Sequence, residues 1–215
     1  MGKPSIAIVD TGSGNLRSVE KALVCAGANA FVSKDADKVA SADKVVVPGQ
    51  GAFGGCMAGL MIEGGALRDA VLEAVRAGKP YLGICMGLQV LFATSEEEPG
   101  CAGLGLLPGK VVKFDIAKPL KVPHMGWNAC RRAGTATSPL AVASPVLADT
   151  ADGTYFYFVH SYYPVPTDQR DVALVSDHGH SFCAAVARDN IFACQFHPEK
   201  SQRAGLVLLS RFVSI

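Results

Sequence analysis

Apolar positions keep one rhythm in the first half of the chain and another in the second. In the first half, short apolar runs alternate with segments of helical spacing. "SIAIVD" is rich in Ile and Val and ends before "TGSGN", which predicts a buried parallel strand and a turn. "LRSVEKALVCAG" follows with Leu16, Val19, Leu23 and Val24 on one side and Gly27 as a stop, the pattern of an amphipathic helix. "KVVVPGQG" reads as a second buried strand and turn. "ALRDAVLEAVRAGKP" turns Leu67, Val71, Leu72 and Val75 inward and Arg68, Asp69, Glu73 and Arg76 outward, and Gly78 and Pro80 close it. "YLGIC" is the next strand, and "MGLQVLFAT" is predicted as the helix after it.

The second half is written mostly in strands. "GKVVKF", "TYFYFVHSYYP", "DVALVSDH", "SFCAAVARDN" and "IFACQFHPE" are apolar runs joined by turn residues. "SQRAGLVLLSRFV" closes the chain as a helix, with Leu206, Leu209 and Phe212 or Val213 expected to be buried. "RRAGTATSPLAVAS" is weakly patterned and reads as a surface loop with a short helix. The expected fold is α/β: a mainly parallel, flavodoxin-like open sheet with helices on both faces and an antiparallel or mixed extension in the second half. With no internal repeat and no long linker, one domain over residues 1–215 is expected.

Composition narrows the function classes. Of 215 residues 49% are apolar, enough for a sizeable core, and the net charge is +1. That balance points to neither nucleic acid nor an anionic membrane as partner. No apolar run approaches a membrane span. "MGKPSIAIVD" lacks a charged segment followed by a long apolar one, so no secretion signal is expected. Gly2 invites a myristoylation reading, but the run after it is a core strand. Seven cysteines at scattered spacings include no C-x-x-C pair. Neither zinc nor a disulfide framework is expected, and a reducing, cytoplasm-like compartment is.

Against that background "GICMG" stands out. Cys85 ends a strand between Gly83 and Gly87. A strand turning sharply into a helix leaves its turn residue exposed at the sheet top, and small neighbours are needed to avoid a clash. This is the nucleophile-elbow logic of G-x-S-x-G, here with cysteine. The bland alternative is a packed cysteine between two convenient glycines. A nucleophilic cysteine needs a base. Of five histidines, His178 and His180 lie in the polar turn "SDHGHS" and are expected to be solvated. His197 ends an apolar strand, with Glu199 two places on. In an extended segment kept open by Pro198, the two would share a side, and the carboxylate would hold the imidazole tautomer as the third member of a triad. A developing oxyanion needs donors: the backbone N–H of Met86 is one, and the glycine-rich strand end "VVVPGQGAFGG" offers another. "DTGSGNLR" has the G-x-G of a dinucleotide loop, but Arg17 stands where its third glycine belongs, and a nucleotide reading is set aside. No metal or other cofactor is expected.

These residues resemble a known family. "GICMGLQ" with "QFHPEKS" is similar to the class I, or triad, glutamine amidotransferases. "DTGSGNLRSVEKAL", "VPGQGAFGGCM", "VPHMGWN" and "YFYFVHSYY" resemble, within them, the glutaminase subunits of imidazole glycerol phosphate synthases, and the likeness runs from about Ile6 to Ser201. The resemblance implies hydrolysis of L-glutamine to glutamate and ammonia through a cysteine thioester. Cys85 would attack, His197 would move the proton and Glu199 would orient His197. Gly51 and Met86 would form the oxyanion hole, and Gly51, Gln89, Glu97, Ser161 and Tyr162 would hold glutamine, with Glu96 as the alternative to Glu97. Ammonia would pass to a cyclase subunit with a (β/α)₈ barrel, on a separate polypeptide, which Asn15, Trp127 and Lys200 would face. Trp127 is read as lying in a segment that is not a strand. Gln50 stands where many relatives carry an aliphatic residue, a departure that bears on how the oxyanion loop switches. A γ-glutamyl hydrolase on the same scaffold and a non-catalytic regulatory subunit are the alternatives.

Overall fold

Ile6 and Ile8 point to one side of a strand and Ala7 and Val9 to the other, and all four are fully buried. Such double burial requires a sheet covered on both faces. The computed structural model describes residues 2–115, 120–134 and 144–215. Its first half runs β1 (Ser5–Val9), α1 (Leu16–Cys25), β2 (Asn29–Ser33), α2 (Ala36–Ser41), β3 (Lys44–Gly49), α3 (Phe53–Leu60), α4 (Ile62–Arg76), β4 (Tyr81–Cys85) and α5 (Met86–Gln89). The second half runs β5 (Phe92–Ser95), β6 (Leu107–Lys113), β7 (His124–Arg132), β8 (Thr154–His160), β9 (Tyr162–Pro166), β10 (Val172–Asp177), β11 (Ser181–Arg188), β12 (Ile191–Cys194) and α6 (Gln202–Ser214).

Among the described residues a nine-stranded sheet has the order β2-β1-β3-β4-β12-β11-β10-β7-β8, and β5-β6-β9 form a second sheet. The first five strands are parallel, in the 2-1-3-4-5 order of flavodoxin-like folds with β12 in fifth place. The next four pair antiparallel. One core layer joins Ile6, Ile8, Val46 and Leu82 to Leu23, Leu209 and Phe212 of α1 and α6. The other joins Ala7, Val9, Val45 and Val47 to Leu60, Leu67 and Val71 of α3 and α4. This is the expected α/β architecture, with helices on both faces.

Several elements differ from the sequence reading. The helix predicted over "MGLQVLFAT" stops at Gln89, and Phe92–Ser95 is strand β5. Leu88, Val90, Leu91 and Phe92 are all fully buried, so the segment has no polar face to mark a helix. "VPHMGWN" enters β7, paired with β8 from His124 to Cys130. Strand β2 and helix α2 were not anticipated; α2 is short and starts at Asp35, whose side chain accepts from the Asp37 and Lys38 N–H groups. Val24 and Leu206 are exposed, each one position off the buried stripe of its helix. Most of "RRAGTATSPLAVAS" lies outside the described residues. No described helix is long and apolar enough to cross a membrane.

Candidate active site

The carboxyl ends of β3, β4 and β12 meet at one cavity of about 400 Å³. Cys85 reaches it from a backbone at φ +54°, ψ −101°, a conformation that an L-residue adopts only under constraint. The flanking glycines supply the constraint. A Cβ on Gly87 would overlap the Val47 carbonyl oxygen, and one on Gly83 would overlap the Gly87 carbonyl oxygen. The elbow is therefore wedged against β3, and the Tyr81 hydroxyl donates to the same Gly87 carbonyl at 2.7 Å. Met86 follows Cys85 and lines the cavity. Across it, Gly51 turns at φ +109°, between Gln50 and the start of α3. The 12–15 turn backs this loop, with Gly14 against Gly49 and Gln50.

His197 stands beside Cys85 in the cavity wall. Its Nδ1 donates to Glu199 Oε1 at 2.8 Å, and both side chains are 2% exposed. The segment is not the extended one expected from Pro198: Pro198–Lys200 forms a single 3₁₀ turn. The turn, rather than strand alternation, folds the carboxylate onto the ring. Ser201 pins it, its hydroxyl donating to the His197 carbonyl at 2.6 Å and accepting from Tyr157 N–H at 3.0 Å. Burial alone would lower the His197 pKa, but hydrogen bonding and charge from Cys85 and Glu199 outweigh it and raise it to about 10. His197 Nε2 and Glu199 Oε2 have no hydrogen-bond partner of standard geometry, so Nε2 is free for a proton in transit.

Other expected residues gather at the same place. Gln89, Ser161, Tyr162, Glu97 and Lys200 line the cavity. Glu97 Oε2 accepts from the Phe53 N–H at 2.8 Å. Glu96 turns away to accept from Lys113 N–H and is not in the wall, so it is Glu97 that the fold brings to the cavity. Asn15 is exposed and caps α1, accepting from Ser18 N–H. Trp127 is 45% exposed on β7, on the same face as Met125 at 63%. Val159 and Tyr157 of β8 lie directly opposite Met125 and Trp127, and Tyr155 lies opposite Ala129, giving an outward apolar strip that ends at Pro123, Tyr157 and Val159 on the cavity rim. The Lys200 ammonium lies 5.9 Å from the centre of the Tyr157 ring.

Two features escaped sequence reasoning. Gln195, fully buried, donates from Nε2 to Cys85 Sγ at 3.5 Å; an amide inside the apolar run "IFACQF" was its only signal. His178 and His180 are half-buried rather than solvated. The His178 ring stacks on His124, 4.4 Å between centroids, and His180 Nε2 lies 2.9 Å from the Tyr163 hydroxyl. Both join an aromatic cluster around Phe114.

The family model described as glutamine amidotransferase class-I matches residues 7–214. Two proteins named imidazole glycerol phosphate synthase subunit HisH are close relatives. The one from Methanothermobacter thermautotrophicus is 49% identical over 210 residues, covering 98% of each chain. The one from Syntrophotalea carbinolica is 47% identical over 212 residues, covering 96% of this chain and 98% of the relative. Among solved structures, PurLQS from Thermotoga maritima superposes with a TM-score of 0.69 at 18% identity, covering 99% of this chain and 98% of that one; that likeness speaks for the fold alone.

Proposed function

Since the chain belongs to the class I glutamine amidotransferase family, we propose that it is the glutaminase subunit of an imidazole glycerol phosphate synthase. The observation that carries the reading is an elbow cysteine facing a His–Glu pair in one cavity, in a chain nearly half identical to such subunits along its whole length. Residues 1–215 act as one amidotransferase domain. Its seven free thiols suit a reducing compartment, the cytoplasm.

The residues around the cavity divide the reaction among them. L-Glutamine binds with its ammonium toward the Glu97 carboxylate, between Gln89, Ser161 and Tyr162. Cys85 attacks the side-chain amide carbon with its proton already resting on His197 Nε2, where the raised pKa of that ring holds it. The carbonyl oxygen becomes an oxyanion, which the main-chain N–H groups of Met86 and Gly51 receive. His197 then gives its proton to the departing nitrogen, the C–N bond breaks, and ammonia leaves a glutamyl thioester on Cys85. Water, deprotonated by His197, cleaves the thioester to glutamate and restores the thiol. Glu199 keeps His197 in the tautomer whose Nε2 faces the reaction.

Ammonia is consumed on a cyclase subunit with a (β/α)₈ barrel. Trp127 on its apolar strip, Lys200 beside the triad and Asn15 on the neighbouring turn form the face toward it, around the cavity mouth. The test is a glutaminase assay with and without the cyclase and its nucleotide ligand. The complex should hydrolyse glutamine about 10²–10³ times faster than the free subunit, the worth of one oxyanion donor turned into place. A free subunit as fast as the complex contradicts the coupling, and a complex inert toward glutamine contradicts the function.

A further inference from the structure

Two buried histidines outside the triad, His124 and His160, oppose one another across β7 and β8. They belong to an unbroken chain of hydrogen bonds whose directions are forced. Asn128 Nδ2 donates to the Asp177 carbonyl at 2.7 Å and lies 3.1 Å from His124 Nε2. A carbonyl only accepts, so the Asn128 amide orientation is fixed and His124 Nε2 must be bare. The proton of neutral His124 is then on Nδ1, 3.0 Å from His160 Nε2, which must be bare in turn. His160 Nδ1 therefore donates to the Tyr162 carbonyl at 2.9 Å. That carbonyl also accepts from Gln89 Nε2 at 3.1 Å, and the same Nε2 donates to Gln195 Oε1 at 3.1 Å. Gln195 is left with its Nε2 on the Cys85 sulfur. Burial lowers the pKa of both histidines, His124 to about 4 and His160 to about 3, so both rings are neutral at working pH.

The far end of this chain has a definite outcome. One amide donor sits on Cys85 Sγ, and Gln89 Oε1 remains a buried acceptor with no partner in a residue lining the cavity. Turning either amide over would place an oxygen against the sulfur or a second NH₂ beside the substrate. We propose that His124 and His160 are positioning residues for the glutaminase reaction, holding Gln89 and Gln195 through the Tyr162 carbonyl in the one orientation that serves both Cys85 and the substrate. The chain starts at Asn128, next to Trp127, so the strand with the apolar outer face also sets the amides around the nucleophile. The inference rests on the glutaminase reading of the cavity.

The test uses the subunit assembled with its cyclase and three variants, His160→Leu, His160→Gln and Gln195→Met. His160→Leu should raise KM for glutamine about tenfold, the weight of one hydrogen bond to a group that must be oriented, with a smaller change in kcat. It should also slow alkylation of Cys85 by iodoacetamide several-fold. His160→Gln carries a donor and an acceptor at similar spacing and should stay within about threefold of wild type. Ammonia-dependent synthesis by the same complexes should be unchanged. Gln195→Met should slow Cys85 alkylation even if His160→Leu does not fold. Wild-type KM and alkylation in His160→Leu, or wild-type alkylation in Gln195→Met, would overturn the proposal, as would equal losses of kcat at constant KM in both His160 variants. A wild-type complex that does not hydrolyse glutamine would instead sink the glutaminase reading, while alkylation of the free subunit would still judge the relay.

Discussion

The elbow at the end of β4 and the ribbon of β7 and β8 reach the same cavity by opposite means. At the elbow everything is backbone: strands buried on both sides, glycines in contact with carbonyls, and a cysteine held at positive φ. In the ribbon everything is side chain, with the usual polarity reversed. His124 and His160 are buried, while Met125, Trp127 and Tyr155 are exposed. An isolated apolar residue on a surface needs no explanation, but a contiguous strip of them marks a site of contact. The elbow holds one atom still, while the ribbon turns an apolar strip outward and buries its histidines inward.

That comparison breaks most sharply at Cys85. Cys85→Ala should abolish glutamine-dependent activity, by at least about 10³-fold, while the complex still uses added ammonia; residual turnover above that level would remove Cys85 from its role. Next in size is Gly87→Ala. Its new Cβ would meet the Val47 carbonyl, a backbone atom in a fully buried strand, so relief requires α5 to lift away from β3. A loss of about 3 kcal/mol or more in denaturant unfolding is expected, at the upper end of overpacking costs. An elbow that tolerated alanine there would not be wedged in the way its contacts imply.

The two regions also differ in how well the sequence announced them. Buried parallel strands read as unbroken apolar runs, so "SIAIV", "KVVV" and "YLGIC" were plain, and the elbow followed from the glycines around Cys85. Strand β7 alternates with a period of two, but its apolar members face out and its histidine faces in, so the pattern looked like a loop. His197 and Glu199 were found by spacing, although a 3₁₀ turn rather than an extended chain joins them. Gln195 and the pairing of His124 with His160 depend on register across strands far apart in sequence, and no local pattern records that. The choice of Glu97 over Glu96 needed the Phe53 N–H, 44 residues away.

Trp127→Ala tests the ribbon by its outer face. Its indole is T-shaped to Tyr157 at 6.2 Å between centroids, and the residue is 45% exposed. Truncation should weaken assembly with the cyclase by about 2–4 kcal/mol and leave the melting of the free subunit within about 0.5 kcal/mol of wild type, as surface substitutions do. Titrating the partner against both proteins separates the two quantities. Unchanged affinity would detach the strip from assembly, and a mutant that cannot fold alone would make Trp127 a core residue in function.

Acid tests the ribbon by its inner face. His160 has its pKa lowered to about 3, chiefly by burial, from an ordinary value of 6.5. A histidine lowered on folding binds fewer protons in the native state than in the unfolded state, so stability falls as pH drops below about 6.5 and goes on falling until about 3. At pH 5 the unfolded chain has taken up the proton and the native one has not. The expected loss from His160 is about 2 kcal/mol, and His124, lowered to about 4, adds in the same direction. His197 behaves in the opposite sense. Its pKa is raised to about 10, so its contribution is fully present below about 6.5 and is lost as pH rises toward 10. The ribbon histidines and His197 therefore pull the stability curve in opposite senses. Denaturant midpoints between pH 7.5 and 5 should drop for wild type and drop less for His160→Gln, whose side chain takes up no proton. Equal slopes for the two proteins would mean that His160 is protonated in the native state, and the chain of forced hydrogen-bond directions would not survive that result.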